Sequence, residues 1–176
     1  MSSVLFVGAC RSGKSGLAQR WAEAHAIRRT LFATARPVDE GMRERIAQHQ
    51  KMRGSSWECV EEPLHVLAAM QSAAPLGGVL LMDCVSFWLC NLMEQGLTSK
   101  AIMERVDDLG CWLSAPPLPV ALVAQESGCG VAPASELGNR FRDINGEANQ
   151  ILAKHCHTVI AVICGLPLPL KGHWEL

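Results

Sequence analysis

The chain has 176 residues, enough for one domain with its own core, and 49% apolar against 19% charged residues exclude a disordered chain. Lys and Arg number 16 and Asp and Glu 17, so the basic excess of a general nucleic-acid binder is missing. The run Val4–Val7 is too short for a signal-peptide core and follows no basic segment, and no apolar stretch reaches membrane-spanning length. A cytoplasmic protein with no membrane span is therefore expected. The 8 cysteines include no CxxC pair and read as reduced thiols packed as small hydrophobes.

Short apolar runs alternate with longer amphipathic segments. The first, Val4–Val7, is a buried strand by composition. It runs into Gly8-Ala9-Cys10-Arg11-Ser12-Gly13-Lys14-Ser15, which matches GxxxxGK[ST], and a helix is predicted over Ser15–Ala26. In that strand–loop–helix setting the glycines let backbone amides turn around phosphate oxygens, and the helix N-terminus adds partial positive charge. Lys14 is predicted to reach the β- and γ-phosphates and the Ser15 hydroxyl to bind Mg²⁺. A strand follows at Leu31–Thr34.

A helix over Asp39–Met52 carries Arg45 and His49, with Arg53 just beyond, at steps of four. A histidine flanked by arginines is disfavoured from charging, and a neutral imidazole beside two anion-binding groups can attack a phosphate. By spacing alone, a solvated basic face is the simpler reading.

A helix over Pro63–Ala74, with Pro63 in its first turn, precedes the strand Val79–Asp83. Asp83 then stands at the carboxyl edge of the sheet, as a carboxylate on the magnesium side or as the N-cap of the next helix. Helices follow over Val85–Glu94 and Ser99–Ser114, then the strand Val120–Ala124, with Glu126 a second carboxylate at the same edge. The last helix, Glu136–His155, has an apolar stripe of Leu137, Phe141, Ile144, Ala148 and Ile151. Arg140 and Arg142, near its start, are candidates for substrate phosphate, with a surface salt bridge the other reading of Arg142. His155-Cys156-His157 invites a metal reading: on a helix end the two histidines would diverge, on a strand they would share a face, but no third ligand lies nearby in sequence. The strand Thr158–Ile163 and the alternating prolines of Leu166–Leu170 close the chain, the latter as an edge strand or an extended tail. The pattern predicts one α/β domain over residues 1–176, a three-layer P-loop fold with a mostly parallel sheet.

The ordered set of motifs resembles the bifunctional adenosylcobinamide kinase/adenosylcobinamide-phosphate guanylyltransferase family of cobalamin biosynthesis. The likeness runs almost end to end. It takes in the P-loop, Ala33-Thr34-Ala35, Met42, Arg45-Ile46 with His49, Arg53 with Trp57 and Glu61, and Asp83-Cys84 with Asn91-Leu92. It continues through Glu126, Gly128, Gly130 and Pro133, then Arg140-Phe141-Arg142-Asp143-Ile144, Asn149-Gln150 and Gly165-Leu166-Pro167. The resemblance implies that His49 becomes guanylylated by GTP. It also implies that Ala33, Thr34, Ala35, Gln50, Lys51, Met52, Arg53, Glu61 and Asp83 line the nucleotide site. It implies a homotrimer and two reactions: phosphorylation of adenosylcobinamide by ATP or GTP, then transfer of GMP from GTP to that phosphate. Asp83 is one methylene shorter than the Glu that relatives often carry. Two other readings fit a P-loop alone: a small-molecule kinase with no covalent nucleotide, and a nucleotide-binding switch. Switches of the small-GTPase kind read guanine through Asn-Lys-x-Asp, which this chain lacks.

Overall fold

The computed structural model describes residues 1–37, 40–41, 43–44 and 56–174. Strand β1 (Ser3–Gly8) leads through the P-loop into α1 (Lys14–His25) and β2 (Arg29–Ala33). After β3 (Trp57–Glu61) come α2 (Val66–Ala73), a short 3₁₀ turn, β4 (Val79–Asp83), α3 (Val85–Glu94) and α4 (Ser99–Leu113). The chain ends with β5 (Val120–Gln125), α5 (Glu136–His155), β6 (Thr158–Ile163) and β7 (Leu166–Lys171). Most of the helix expected over Asp39–Met52 lies outside the described residues.

The strands form one seven-stranded sheet in the order β3-β2-β4-β5-β1-β6-β7, parallel except for β7. The parallel pairing follows from helical crossovers, and it gathers the strand ends that carry polar residues along one edge. Alternation sorts the strand side chains onto two faces. Val4, Phe6, Leu31, Leu81 and Val123 pack with Leu17, Trp21 and Ala22 of α1. Leu5, Phe32, Leu80, Met82 and Leu122 pack with Met70 of α2, Trp88 and Leu92 of α3, Val106 of α4 and Ala148 of α5. Three layers result, as the alternation of apolar runs and helices predicts. No helix among the described residues is long and apolar enough to cross a membrane.

The helix starts differ in a way that bears on function. Thr98 accepts from the Ala101 amide to cap α4, and Ser135 accepts from the Gly138 amide to cap α5. By contrast, α1 opens at Gly13 with no side-chain cap, so its first amides stay available to something else.

Three sequence expectations need correction. First, Pro63 is not in a helix. The Glu62 carboxylate accepts from the amides of Leu64 and His65, which turns the chain and delays α2 to Val66. Second, Leu137 is 66% exposed rather than part of the core stripe, because Phe141 is the first residue of α5 that packs against the apolar core. Third, only Cys84 and Cys156 are buried as small hydrophobes, whereas Cys10, Cys59, Cys111, Cys129 and Cys164 are exposed. The expected edge strand at the C-terminus is present. Cys164 and Gly165 both take positive φ, 53° and 81°, making the two-residue turn of a tight hairpin between β6 and β7. In the register Val162↔Pro167 and Ile160↔Pro169, both prolines turn their nitrogens to the open edge, where a missing donor costs nothing.

Candidate nucleotide site

Gly8 ends β1, and Ala9, Cys10, Arg11 and Ser12 make the turn, with Arg11 at φ 56° and Gly13 at φ 94°. The turn closes through the Ser12 amide on the Ala9 carbonyl, 3.3 Å. Close approach dictates both glycines. A Cβ on Gly8 would meet the Val162 carbonyl oxygen at 2.5 Å, and one on Gly13 would meet the Gly165 Cα at 3.1 Å. The turn between β6 and β7 thus backs the P-loop, and the Gly165 amide donates to the Ser12 carbonyl at 2.8 Å. Lys14 folds over the loop, its Nζ 3.0 Å from the Ala9 carbonyl, and Ser15 is the next residue of α1. The Ser12 hydroxyl is buried with no hydrogen-bond partner among the described residues. Such an orphan inside a glycine-rich turn, beside an uncapped helix start and a lysine, fits a phosphate oxygen.

Three carboxyl-edge residues lie in a row across adjacent strands, because Ala33 of β2 is in register with both Asp83 of β4 and Glu61 of β3. Thr34 follows directly and is fully buried. Its hydroxyl donates to the Cys84 carbonyl at 2.7 Å and accepts from the Cys84 amide at 2.9 Å. Asn91 of α3 donates to the carbonyls of Thr34 and Pro63, which locks this corner. Ala35 is the next residue along. Asp83 does not cap the following helix, since α3 has Cys84 at its N-cap and no side-chain cap, so that alternative fails. Burial, and after it the Asp83 carboxylate, push the Cys84 thiol up to about 12, while the Lys14 ammonium pulls it the other way.

Glu126 joins this edge, its amide donating to the Gly8 carbonyl at 2.9 Å. The residue before it, Gln125, is clamped: its amide donates to Ser86 Oγ, and its carbonyl accepts from Asn145 and Asn149. Asn145 also accepts from the Ser86 hydroxyl at 2.8 Å and donates to Ser127 Oγ at 3.0 Å. The sequence reading missed Asn145. Its signal was available: a polar side chain on the buried stripe of α5, beside Ile144 and Ala148, has to find partners. Arg142 donates to the Gly128 carbonyl at 2.6 Å, holding the loop after Glu126, and it forms no salt bridge among the described residues. Arg140 donates to the Leu97 carbonyl at 2.7 Å.

His49, with Arg45, Gln50, Lys51, Met52 and Arg53, lies outside the described residues. Among other histidines, His25 lies over Trp21 with ring centroids 4.0 Å apart. His65 immediately precedes α2 rather than sitting inside it. The triplet stands at the end of α5, so of its two readings the diverging one is realised. Cys156 is buried, His157 pairs with Ser3 Oγ at 2.7 Å, and His155 turns to α4.

The family described as cobinamide kinase / cobinamide phosphate guanyltransferase matches residues 4–170. The chain belongs to that family. Its activities are those of a cobinamide kinase and a cobinamide phosphate guanyltransferase. It is 40% identical to the bifunctional adenosylcobalamin biosynthesis protein CobP of Pseudomonas aeruginosa, over 96% of each chain. It is similar to two proteins named bifunctional adenosylcobalamin biosynthesis protein CobU. That of Escherichia coli is 30% identical and that of Salmonella typhimurium 28%, each over 96% of this chain and 99% of the relative. A P-loop enzyme of this kind uses a nucleoside triphosphate as donor.

Proposed function

We propose that one domain, residues 1–176, carries out both reactions with His49 as a covalent relay. The kinase step transfers the γ-phosphoryl of ATP or GTP to the hydroxyl of adenosylcobinamide. Gly8, Gly13 and the amides from Ala9 to Ser15 hold the phosphates, and Lys14 stabilises the charge that develops on them. Ser15 and Asp83 would hold Mg²⁺, which supplies charge neutralisation at the β- and γ-phosphates when bound. Ala33, Thr34, Ala35, Glu61 and the stretch from Gln50 to Arg53 would complete the nucleotide site. In the guanylyl step the His49 imidazole attacks the α-phosphorus of GTP. A P–N bond forms, the P–O bond to pyrophosphate breaks, and the imidazole proton goes to solvent. The phosphate of adenosylcobinamide phosphate then attacks the same phosphorus and regenerates the imidazole. The product is adenosylcobinamide-GDP, and one difficult displacement has become two easier ones.

A single observation carries this reading. The uncapped start of α1, with Lys14 over the loop that follows β1, and the Asp83 end of β4 lie at the same sheet edge, on a chain of the kinase/guanyltransferase family. We place the protein in the cytoplasm as a homotrimer. The test is incubation with α-labelled GTP. Wild type should gain an acid-labile, base-stable GMP adduct. His49→Ala should lose the label and the guanylyl transfer, yet still phosphorylate adenosylcobinamide. Label retained in His49→Ala would put the nucleophile elsewhere. No label on wild type would leave the simple kinase reading.

A further inference from the structure

His155 is the last residue of α5, and it reaches across to α4. There Asp107 and Cys111 stand one turn apart on the same helical face. The donor atoms of Asp107, Cys111 and His155 all lie within 4.8 Å of one another. Donors at zinc distances around one tetrahedral ion are about 3.4 Å apart. Small side-chain adjustments close the difference, and the exposure of Asp107 and Cys111 leaves an entry path.

Two neighbours shape this cluster. Gly110 lies on α4 between the two ligand positions, and a Cβ there would meet the His155 ring carbon Cδ2 at 2.6 Å. The missing side chain is what lets the imidazole lie against the helix. Ser114 fixes the ring's orientation. Its Oγ lies 2.8 Å from His155 Nδ1 and 3.4 Å from the Gly110 carbonyl oxygen. On the other side of the ring Nε2 lies 3.3 Å from Asp107 Oδ1. A proton on Nε2 suffices for two groups, but it gives no role to the third donor, Cys111. A metal ion uses all three. The partial negative charge at the C-terminal ends of α4 and α5, both close by, adds to the attraction.

We propose that Asp107, Cys111 and His155 form a zinc-type site that clips α4 to α5, with a fourth position left to water. The mixed nitrogen, sulfur and carboxylate set matches Zn²⁺, whereas Mg²⁺ asks for oxygen ligands alone. Binding releases the Cys111 thiol proton to solvent. Both helices end before the strands β5 and β6 begin, so the clip sits at the amino-terminal edge of the sheet. The P-loop is at the opposite edge, and the ion is structural.

The test uses the full chain stripped with a chelator and titrated with Co²⁺ as a spectroscopic probe. Wild type should develop a thiolate-to-cobalt charge-transfer band that saturates at one ion per chain and is displaced by Zn²⁺. Cys111→Ser and His155→Gln should lose the band. Ser114→Ala, which supplies no ligand, should weaken binding roughly 10–100-fold. Zn²⁺ should raise Tm in wild type but not in Cys111→Ser, with kinase turnover the same in both. No charge-transfer band in wild type, or an unchanged band in Cys111→Ser, would overturn the site and leave His155 and Asp107 as an ion pair only.

Discussion

Gly13 and Gly16 are three residues apart, and the structure assigns opposite signs to the same substitution at the two positions. At Gly13, alanine meets two penalties. The backbone is at φ 94°, ψ 0°, where a Cβ costs roughly 1–2 kcal/mol. The new methyl also faces the Gly165 Cα at 3.1 Å, and that residue cannot retreat without stretching its 2.8 Å bond to the Ser12 carbonyl. With about 1 kcal/mol of overpacking added, Gly13→Ala should lose about 2–3 kcal/mol. At Gly16, inside α1, the nearest atom to a new Cβ is Arg20 Nη1 at 3.8 Å. Alanine there should gain about 0.5–1 kcal/mol from helix propensity and reduced unfolded-state freedom. For a chain of this size the loss corresponds to a Tm lower by roughly 4–12 °C and the gain to one higher by roughly 1–4 °C. Urea unfolding and calorimetry on the two variants and wild type measure both. A Gly13→Ala variant as stable as wild type would refute the description of the loop. A destabilised Gly16→Ala would refute the open space beside it.

Lys14→Ala should abolish both activities with no more than about 0.5 kcal/mol change in unfolding free energy, because its ammonium bonds only the Ala9 carbonyl among the described residues. Turnover near wild type would sink the phosphate-loop assignment. Iodoacetamide at mildly alkaline pH should label Cys10, Cys129 and Cys164 in the native state and spare Cys84 and Cys156. Burial pushes both of the latter thiols up to about 12, and peptide mapping reads the difference. Burial raises the Glu62 pKa, but the His65 and Leu64 amides outweigh it, so the net shift is downward. A depressed carboxylate contributes stability that is present above its unfolded pKa and lost as pH falls through its folded one. Glu62→Gln should therefore flatten part of the acid limb of a stability-versus-pH curve, and an unchanged limb would count against the turn.

The central strands were legible because β1, β4, β5 and β6 are continuous apolar runs buried on both faces, a pattern that surface elements do not produce. Strand β3 was missed for the converse reason. Trp57-Glu58-Cys59-Val60-Glu61 pairs only with β2 and stays largely exposed, so its sequence carries no apolar run. Helices α3 and α5 were read to the residue, because the apolar period stops where Glu94 and His155 stand. Of the site, the P-loop was legible from local spacing alone. The row Asp83–Ala33–Glu61 was not derivable locally, since it depends on which strands become neighbours. Nor was the meeting of His155 with Asp107 and Cys111, which needs two helix ends brought together by the return to β5 and β6.

The hairpin that backs the P-loop also sets an order of events during synthesis. Strand β1 is made well before its partners β5 and β6, and Gly165, which holds Ser12, comes later still. Contacts this distant along the chain close slowly, because a long loop must be ordered before they form. A ribosome-bound chain therefore carries its phosphate loop unbacked, however early that loop was translated. Chains released before Leu166 should retain much of the helical signal yet fail to protect the P-loop amides from hydrogen exchange. The candidate nucleotide site is in this sense begun ahead of every helix and completed only behind β6.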